Sequence, residues 1–147
     1  MRVVLQRVSR ASVRIEEQVV GEIGPGLVVL LGISRDDKES DISYLIEKIA
    51  AVRIFDDADG RMNLSIKDVS GELLVVSQFT LYGDVKRGRR PSWIEAASPA
   101  VAEPLYERFV GEARRVVSRV ATGSFGQMMQ VELVNHGPVT LVIDSRK

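Results

Sequence analysis

The sequence predicts a single α+β domain in which a largely antiparallel β-sheet packs against two helices. Three observations lead to this prediction. The chain has 147 residues, which suits one compact domain. Segments with strand periodicity outnumber those with helical periodicity. Several connections are too short for the crossovers that parallel strands require. No linker, low-complexity tract or repeat divides the chain, so we assign residues 1–147 to one domain.

The first third of the chain is predicted to be mainly β-structure. Alternating apolar and polar residues indicate half-buried strands, and the apolar run before Ser34 indicates a strand buried on both faces. Gly24-Pro25-Gly26 marks a turn before that run. The predicted strands are Val3 to Val8, Ala11 to Ile15, Gln18 to Ile23 and Leu27 to Ile33.

Two helices and three further segments complete the predicted fold. Asp36 and Glu39 resemble a capping box, and the helix after them has one apolar face made by Ile42, Leu45, Ile46 and Ile49, with Arg53 in line. A second helix is predicted over roughly Ser98 to Val120. It begins either at Pro99, with Pro104 bending its first turns, or at Pro104 itself. The remaining predictions are a loop from Phe55 to Asn63, a strand from Leu73 to Leu81, and a final hairpin joining Val131–Asn135 to Val139–Asp144.

Composition excludes several kinds of chemistry. There is no cysteine, so thiolate catalysis, disulfides and cysteine metal sites are excluded, and a single histidine, His136, rules out a multi-histidine metal site. We expect His136 to be a solvated turn residue. The formal net charge is zero, so a nucleic acid would have to be bound by a local basic patch. No signal-peptide pattern or membrane-length apolar stretch is present, and we expect a cytoplasmic protein with no membrane partner.

Two charged segments invite a binding interpretation. Phe55 to Asn63 superficially resembles a calcium loop, but Phe55 and Ile66 occupy positions where that loop needs oxygen ligands, so we expect no metal. Lys86, Arg87, Arg89 and Arg90 surround one glycine. This basic segment is either a mobile solvated loop or a phosphate-binding patch. Trp93 follows it, and could stack on a base, although a single tryptophan is more often part of a core.

Two segments could form a small-molecule site. Ser77, Gln78, Phe79 and Thr80 end an apolar strand, which is where a sheet often delivers polar groups to a pocket, although a strand end can simply become polar. If the strand continues, Gln78 and Thr80 share one face. Gly137-Pro138 lies between two apolar runs and, as a turn, would present main-chain carbonyls in a fixed geometry.

In this order and spacing, SQFTLY (77–82) and NHGPVT (135–140) resemble the two signature motifs of the D-aminoacyl-tRNA deacylase family. The resemblance extends over the whole chain through five further segments. They are QRVSRASV (6–13), GPGLVVLLGI (24–33), RIFDDADGRMNLS (53–65), RRPSW (89–93) and ASP (97–99) before the second helix. SQFTL favours this family over its animal relative, whose motif reads PQATL. One departure is Gln127-Met128, where the family often has Ala-Asp; Met129 keeps the usual methionine.

The resemblance implies a fold, an activity and a site. The fold is that of the deacylases, with barrel-like or sandwich-like sheets. The activity is hydrolysis of the ester between a D-amino acid, or a glycine mischarged on alanine tRNA, and the tRNA 3′ end, without a cofactor. The family is a homodimer with its active site at the subunit interface. The Gly-Pro peptide bond of the second motif is cis, and its carbonyl groups, contributed by the partner subunit, hold the substrate's amino group and leave no room for an L side chain. By position this role falls on Gly137 and Pro138.

The implied catalytic residues are Gln78, Phe79 and Thr80, with Ser77 and Met129 binding substrate. Thr80 is either the nucleophile or a positioning group, with the tRNA 2′-hydroxyl assisting and main-chain N–H groups near Phe79 and Thr80 stabilising the oxyanion. The chain offers only His136 as a base for a threonine nucleophile, so we favour the second mechanism. Two alternatives are a non-catalytic tRNA-binding module and a general esterase. The latter is disfavoured because no nucleophile elbow is present.

Overall fold

The computed structural model describes residues 1–146, which form a six-stranded sheet, a two-stranded sheet and two α-helices. A short 3-10 helix, Phe79–Tyr82, follows the sixth strand. The strands are β1 (Arg2–Ile15), β2 (Gln18–Ile23), β3 (Gly26–Gly32), β4 (Phe55–Asp56), β5 (Met62–Leu64), β6 (Glu72–Ser77), β7 (Val120–Thr122) and β8 (Gln130–Asp144). The helices are α1 (Glu39–Ala51) and α2 (Pro99–Val116).

The long strand β1 organises the main sheet. Its first half pairs antiparallel with β3, from Arg2 opposite Gly32 to Val8 opposite Gly26, and its second half pairs with β2. β8 pairs antiparallel along the other side of β1. Beyond β3 the sheet continues through β6 and β7, which are both parallel to their neighbours because α1 and α2 lie in the crossovers. The α+β prediction is therefore confirmed, with a parallel part that the short connections did not indicate.

The sheet curves until its two ends nearly meet, which gives it a barrel-like shape. A side chain from the segment before β7 crosses the gap, since Arg119 Nη2 donates to the main-chain oxygen of Glu22 at 3.1 Å. The inside of the curve is filled by a small cluster that includes Val13, Val28 and Leu74. The outer face of the sheet packs against α1 and α2 through the larger cluster, in which Phe109 and Leu45 are fully buried.

The helix predictions are right in position and partly wrong at their ends. α1 begins after Lys38, not Asp36, and the carboxylate of Asp41, not of Glu39, accepts the Lys38 main-chain N–H at 2.8 Å. The capping box shifts because the adjacent Asp37 accepts the N–H of Ser34 at 2.6 Å and fixes a turn before the helix. α2 begins at Pro99 and contains Pro104, as the first of the two alternatives predicted. It ends at Val116, because β7 begins at Val120.

Three strand predictions need correction. Val3–Val8 and Ala11–Ile15 are parts of one strand, and the predicted loop from Phe55 to Asn63 contains most of the small β4–β5 hairpin. The strand from Leu73 stops at Ser77, because the chain turns into the 3-10 helix.

The predicted final hairpin is wrong, since its two halves form the single strand β8. Gln6 lies opposite Thr140 and Val8 opposite Asn135, so the four residues 136–139 bulge outward opposite Arg7 alone. Asn135 closes this bulge. Its Nδ2 donates to Thr140 Oγ1 at 3.0 Å, and its Oδ1 accepts the Val139 N–H at 3.1 Å. The strand can therefore resume its pairing with β1 after the Gly-Pro pair.

No helix within residues 1–146 is long and apolar enough to span a membrane.

Closure of the sheet predicts opposite effects for the same substitution at two glycines. A Cβ at Gly21 in β2 would lie 2.3 Å from the main-chain oxygen of Thr122 in β7, so Gly21→Ala should lower the free energy of unfolding by about 1–3 kcal/mol. Gly111 lies inside α2 with open space around it, and Gly111→Ala should raise the free energy of unfolding by about 0.5–1 kcal/mol. Urea unfolding followed by circular dichroism measures both. Equal effects would contradict the close approach of β2 and β7.

Candidate active site

The end of β6 places four predicted site residues around a sharp change in backbone direction. Gln78 leaves the sheet with φ −141° and ψ 74°, and its N–H donates to the Leu31 main-chain oxygen at 2.8 Å. The predicted alternation of faces therefore stops at Ser77. Gln78 and Thr80 nevertheless meet, because the 3-10 turn brings the Gln78 Nε2 within hydrogen-bond distance of the Thr80 Oγ1, to which it donates.

The 3-10 helix leaves two main-chain donors free. The first N–H groups of a helix have no acceptor within the helix itself. Here Leu81 donates to Gln78 and Gly83 donates to Thr80, but no group within residues 1–146 accepts the N–H of Phe79 or of Thr80. Both residues are exposed. Two adjacent N–H groups are thus available to a ligand oxygen beside the end of β6.

These residues border a cavity of about 830 Å³, which lies within the usual size range of small-molecule sites. Its walls come from the end of β6 with the 3-10 helix, the start of α2, and the β7–β8 connection. They are Ile33, Val76, Ser77, Gln78, Phe79, Thr80, Trp93, Ala96, Ala97, Ser98, Pro99, Ala102, Phe125, Gly126, Gln127, Met128, Met129 and Val131. Among these lining residues, none is acidic, basic, histidine, cysteine or tyrosine. The cavity therefore has no side chain that titrates near neutral pH.

The cavity wall that the β7–β8 connection supplies is mainly apolar. Met129 lines the cavity, and its sulfur accepts the Ser124 N–H at 3.4 Å. Met128 stands beside it with 88% of its surface exposed, so the departure from the usual Ala-Asp sequence lies at the mouth of the cavity and outside the core. Behind the wall, the ring of Tyr106 packs against Phe125 with centroids 5.7 Å apart. Burial raises the pKa of Tyr106 to about 12, and its hydroxyl donates to the Val75 main-chain oxygen at 3.2 Å.

The basic segment stands at the rim of this cavity. Asp84 and Ser92 form an antiparallel bridge with two main-chain hydrogen bonds of 2.8 and 2.9 Å, so the segment between them projects as a loop in which residues 85–90 are exposed. Lys86, Arg87, Arg89 and Arg90 are all exposed on it. Trp93, immediately after the bridge, is part of the cavity wall and not of the core.

Gly137 and Pro138 do not line this cavity. Their peptide bond is cis, as the resemblance implied, and they form the exposed tip of the β8 bulge. The bulge lies opposite Arg7 of β1, Arg7 pairs with Leu27 of β3, and Leu27 pairs with Leu73 of β6. Leu73 is thus three strand spacings from the bulge, about 14 Å across the sheet, and Ser77 is four residues beyond Leu73, about 13 Å further along the strand. His136 is exposed on the same bulge and is not part of the cavity wall.

Arg7 holds the bulge in place, although it belongs to none of the predicted site segments. The residue is 6% exposed, and its Nε donates to the His136 main-chain oxygen at 3.1 Å. Its Nη1 donates to the Ile54 oxygen at 2.8 Å and lies 3.2 Å from the Asp56 carboxylate. The signal was present in the sequence, because Arg7 continues the buried alternation of Val3 and Leu5, and a cation at a core position requires fixed partners.

Gly137 fits the bulge for a steric reason. Its φ is +128°, a conformation that side-chain-bearing residues rarely adopt, and a Cβ there would lie 2.8 Å from Val139 Cγ2 and 3.1 Å from Arg7 Nη2. The tip therefore keeps its shape through Arg7 on one side and Asn135 on the other. Both residues of the tip are exposed and neither lines the cavity, so the tip is open to another molecule.

Comparisons with known proteins agree on one family. Residues 4–144 match the family model described as D-Tyr-tRNA(Tyr) deacylase. A protein of Thermosipho africanus named D-aminoacyl-tRNA deacylase is 57% identical, covering 100% of this chain and 99% of that protein. A protein of Symbiobacterium thermophilum with the same name is 58% identical, covering 100% and 97%.

Two solved structures have the same fold. One is described as c-Myc DNA Unwinding Element Binding Protein; it has a TM-score of 0.93 and 37% identity, and the match covers 98% of each chain. The other is described as a probable eukaryotic D-amino acid tRNA deacylase, with a TM-score of 0.83 and 97% of each chain covered. At 20% identity, this second likeness shows the fold alone.

Proposed function

The chain belongs to the D-Tyr-tRNA(Tyr) deacylase family, and we propose that it hydrolyses the ester bond of D-aminoacyl-tRNA. The products are free tRNA and a D-amino acid, so the enzyme serves as a chiral proofreader of translation in the cytoplasm. Glycine mischarged on alanine tRNA is a second substrate, because glycine also has no L side chain to be excluded. No cofactor is needed for ester hydrolysis of this kind.

One observation carries the proposal: a large cavity without titratable side chains borders two unpaired main-chain N–H groups. Ester hydrolysis builds negative charge on the carbonyl oxygen, and preorganised N–H donors stabilise that charge best where water is excluded. The N–H groups of Phe79 and Thr80 have this arrangement. A general esterase with a serine nucleophile would instead need a base beside its hydroxyl group.

The reaction follows from these groups and the substrate. Water attacks the ester carbonyl carbon while the Phe79 and Thr80 N–H groups hold the oxyanion. The terminal 2′-hydroxyl of the tRNA assists the proton transfers, so that the 3′-oxygen leaves as a hydroxyl group. Gln78 orients Thr80 through its side-chain hydrogen bond, and Ser77 and Met129 contact the bound ester. Thr80 positions substrate and is not the nucleophile, because no base lies among the residues around it.

Selection against L-amino acids is assigned to Gly137 and Pro138 of a second subunit. Their exposed carbonyl groups accept hydrogen bonds from the substrate's ammonium group and leave no room for an L side chain. Two features support a homodimer. The bulge is too far from its own cavity to act there, and within residues 1–146 no strand pairs with the outer edge of β8. That edge carries exposed Val131, Val134 and Val142, and such an edge is normally covered.

The basic loop supplies the sequence-independent part of tRNA binding. Lys86, Arg87, Arg89 and Arg90 project from the cavity rim, where the acceptor end of a bound tRNA must pass. Cations that contact phosphates release counterions and make binding depend on salt. The loop therefore gives a protein of zero net charge a local site for a polyanion.

The proposed activity is tested with purified protein and two substrates, D-Tyr-tRNA and L-Tyr-tRNA. We expect the D-ester to be hydrolysed at least about 100-fold faster, because steric exclusion of a side chain from a rigid site is worth several kcal/mol. Release of radiolabelled tyrosine measures both rates. Binding of tRNA with hydrolysis of neither substrate would favour a non-catalytic tRNA-binding module, and equal hydrolysis of both would favour a general esterase.

The oxyanion donors are tested by removing one N–H group. Phe79→Pro deletes that donor at the first position of the 3-10 helix, where proline fits, and Gln78 lies outside the α-helical region that a following proline disfavours. Relative to the control Phe79→Ala, it should lower kcat about 100- to 1,000-fold. Thr80→Val should lower kcat less than about tenfold. Loss of all activity in Thr80→Val with substrate binding intact would instead make Thr80 the nucleophile.

The two-subunit site predicts complementation between inactive variants. Phe79→Pro disables the cavity side and Gly137→Ala displaces the bulge, so each homodimer should be nearly inactive. Co-refolded together, they should recover about a quarter of wild-type activity, because half of the dimers are mixed and each mixed dimer keeps one intact site. Sedimentation should give a mass twice the 16.2 kDa of one chain. Activity that stays at the level of the separate variants would place both groups in one subunit's site.

A further inference from the structure

Trp93 forms an aromatic surface at the mouth of the cavity that the proposed reaction does not use. It is the one tryptophan of the sequence. Its ring meets the ring of Phe79 edge-on, with centroids 5.1 Å apart and planes at 66°. Although it lines the cavity, 41% of its surface is exposed, and 55% of Phe79 is exposed beside it. The two rings therefore form one exposed aromatic patch beside the cavity, and contiguous patches of this kind mark binding sites.

The indole ring is held in a fixed position. A Cβ on Gly83 would lie 2.7 Å from Trp93 Cζ3, so the ring packs directly over the main chain of that glycine. The main chain on either side is also fixed, because Ser92 pairs with Asp84 and the Trp93 oxygen accepts the Ala96 N–H at 3.0 Å. A ring that is already immobile loses little conformational entropy when a flat ligand stacks on it.

The charge around the ring favours a nucleic acid as that ligand. The loop with four exposed cations starts at the bridge next to Trp93, so phosphates and an aromatic face lie within reach of one another. Proteins bind single-stranded nucleic acid with this combination of cationic groups and stacking rings. A second copy of the chain is a poorer fit, because a two-fold contact centred here would bring the two cationic loops together.

The size of the cavity decides which nucleotide is stacked. A volume of about 830 Å³ suits one aminoacylated nucleoside, whose ester must reach the Phe79 and Thr80 N–H groups inside. The preceding nucleotide then emerges at the rim, where the exposed part of Trp93 lies. Resting on the proposed function, we propose that Trp93 is the stacking site for the base that precedes the aminoacylated nucleotide, with the basic loop holding the phosphates on its 5′ side.

Intrinsic fluorescence tests this directly, because all tryptophan emission comes from Trp93. The probes are the uncharged RNA trinucleotide CCA and adenosine. Stacking predicts that the trinucleotide quenches the emission more strongly than adenosine does at saturation of each. Saturation is followed independently by equilibrium dialysis. If the bound trinucleotide quenches the emission no more than bound adenosine does, the proposal is wrong. This measurement does not depend on turnover.

Kinetics provide the second test, with Trp93→Leu and the matched control Trp93→Phe. Loss of one base–aromatic stack should make the fall in kcat/KM at least about fivefold larger for D-aminoacyl-CCA than for D-aminoacyl-adenosine in Trp93→Leu. Trp93→Phe keeps a stacking ring, so its losses of kcat/KM on the two substrates should be nearly equal. Equal losses on both substrates in Trp93→Leu would mean that Trp93 only shapes the cavity, and the proposal would be wrong.

Two further measurements examine the basic loop and the subunit contact. Replacing Lys86, Arg87, Arg89 and Arg90 with glutamine should weaken CCA binding and reduce its salt dependence; unchanged salt dependence would remove the loop from the proposal. If Trp93→Leu shifts the sedimenting mass to that of one chain, the ring is a subunit contact and the stacking role is refuted. Failure of wild-type protein to hydrolyse any D-ester would refute the proposed function, while the fluorescence result would still judge the stacking site.

Discussion

The pairing of β1 with three other strands is the constraint on which the rest of the structure depends. On one side β1 fixes β3, and through β3 it sets the register of β6, whose end carries the free N–H groups. On the other side it fixes β8 above and below the bulge that carries Gly137 and Pro138. Both halves of the proposed site are thus positioned by one strand. A slip of one residue would move the apolar face of β1 out of the core, so the register is strongly determined.

The elements that the sequence predicted well are those with a local physical cause. The two helices have clear apolar stripes, and β2 and β3 are bounded by turn residues, so their positions follow from periodicity alone. The SQFT and GPVT segments stand out in the sequence because polar residues or a proline interrupt apolar runs. The inward position of Arg7 could also be predicted, but only once the buried face of β1 is known.

The features that sequence reasoning missed depend on contacts between distant segments. Nothing near Gly137 distinguishes a hairpin turn from a bulge, because the choice is made by pairing with β1, 129 residues away at the Arg7–His136 contact. The end of β6 at Ser77 is set by the hydrogen bond from Gln78 to Leu31, and not by any helix signal in FTLY. The capping residue of α1 is likewise decided by the hydrogen bond between Asp37 and Ser34. In each case a tertiary or neighbouring hydrogen bond overrides a local preference.

An uncharged cavity is a physical advantage for an enzyme that must choose between mirror-image substrates. Charged side chains are long and mobile, and they attract an ammonium or an ester with little regard to its handedness. Main-chain groups are held by the sheet itself. The Phe79 and Thr80 N–H groups follow from the end of β6, and the bulge carbonyls follow from Arg7 and Asn135. Hydrogen bonds from such groups are also stronger in an apolar wall than in water. In the proposed function, catalysis and chiral selection both rest on backbone geometry, and such a site needs neither a second histidine nor a cysteine.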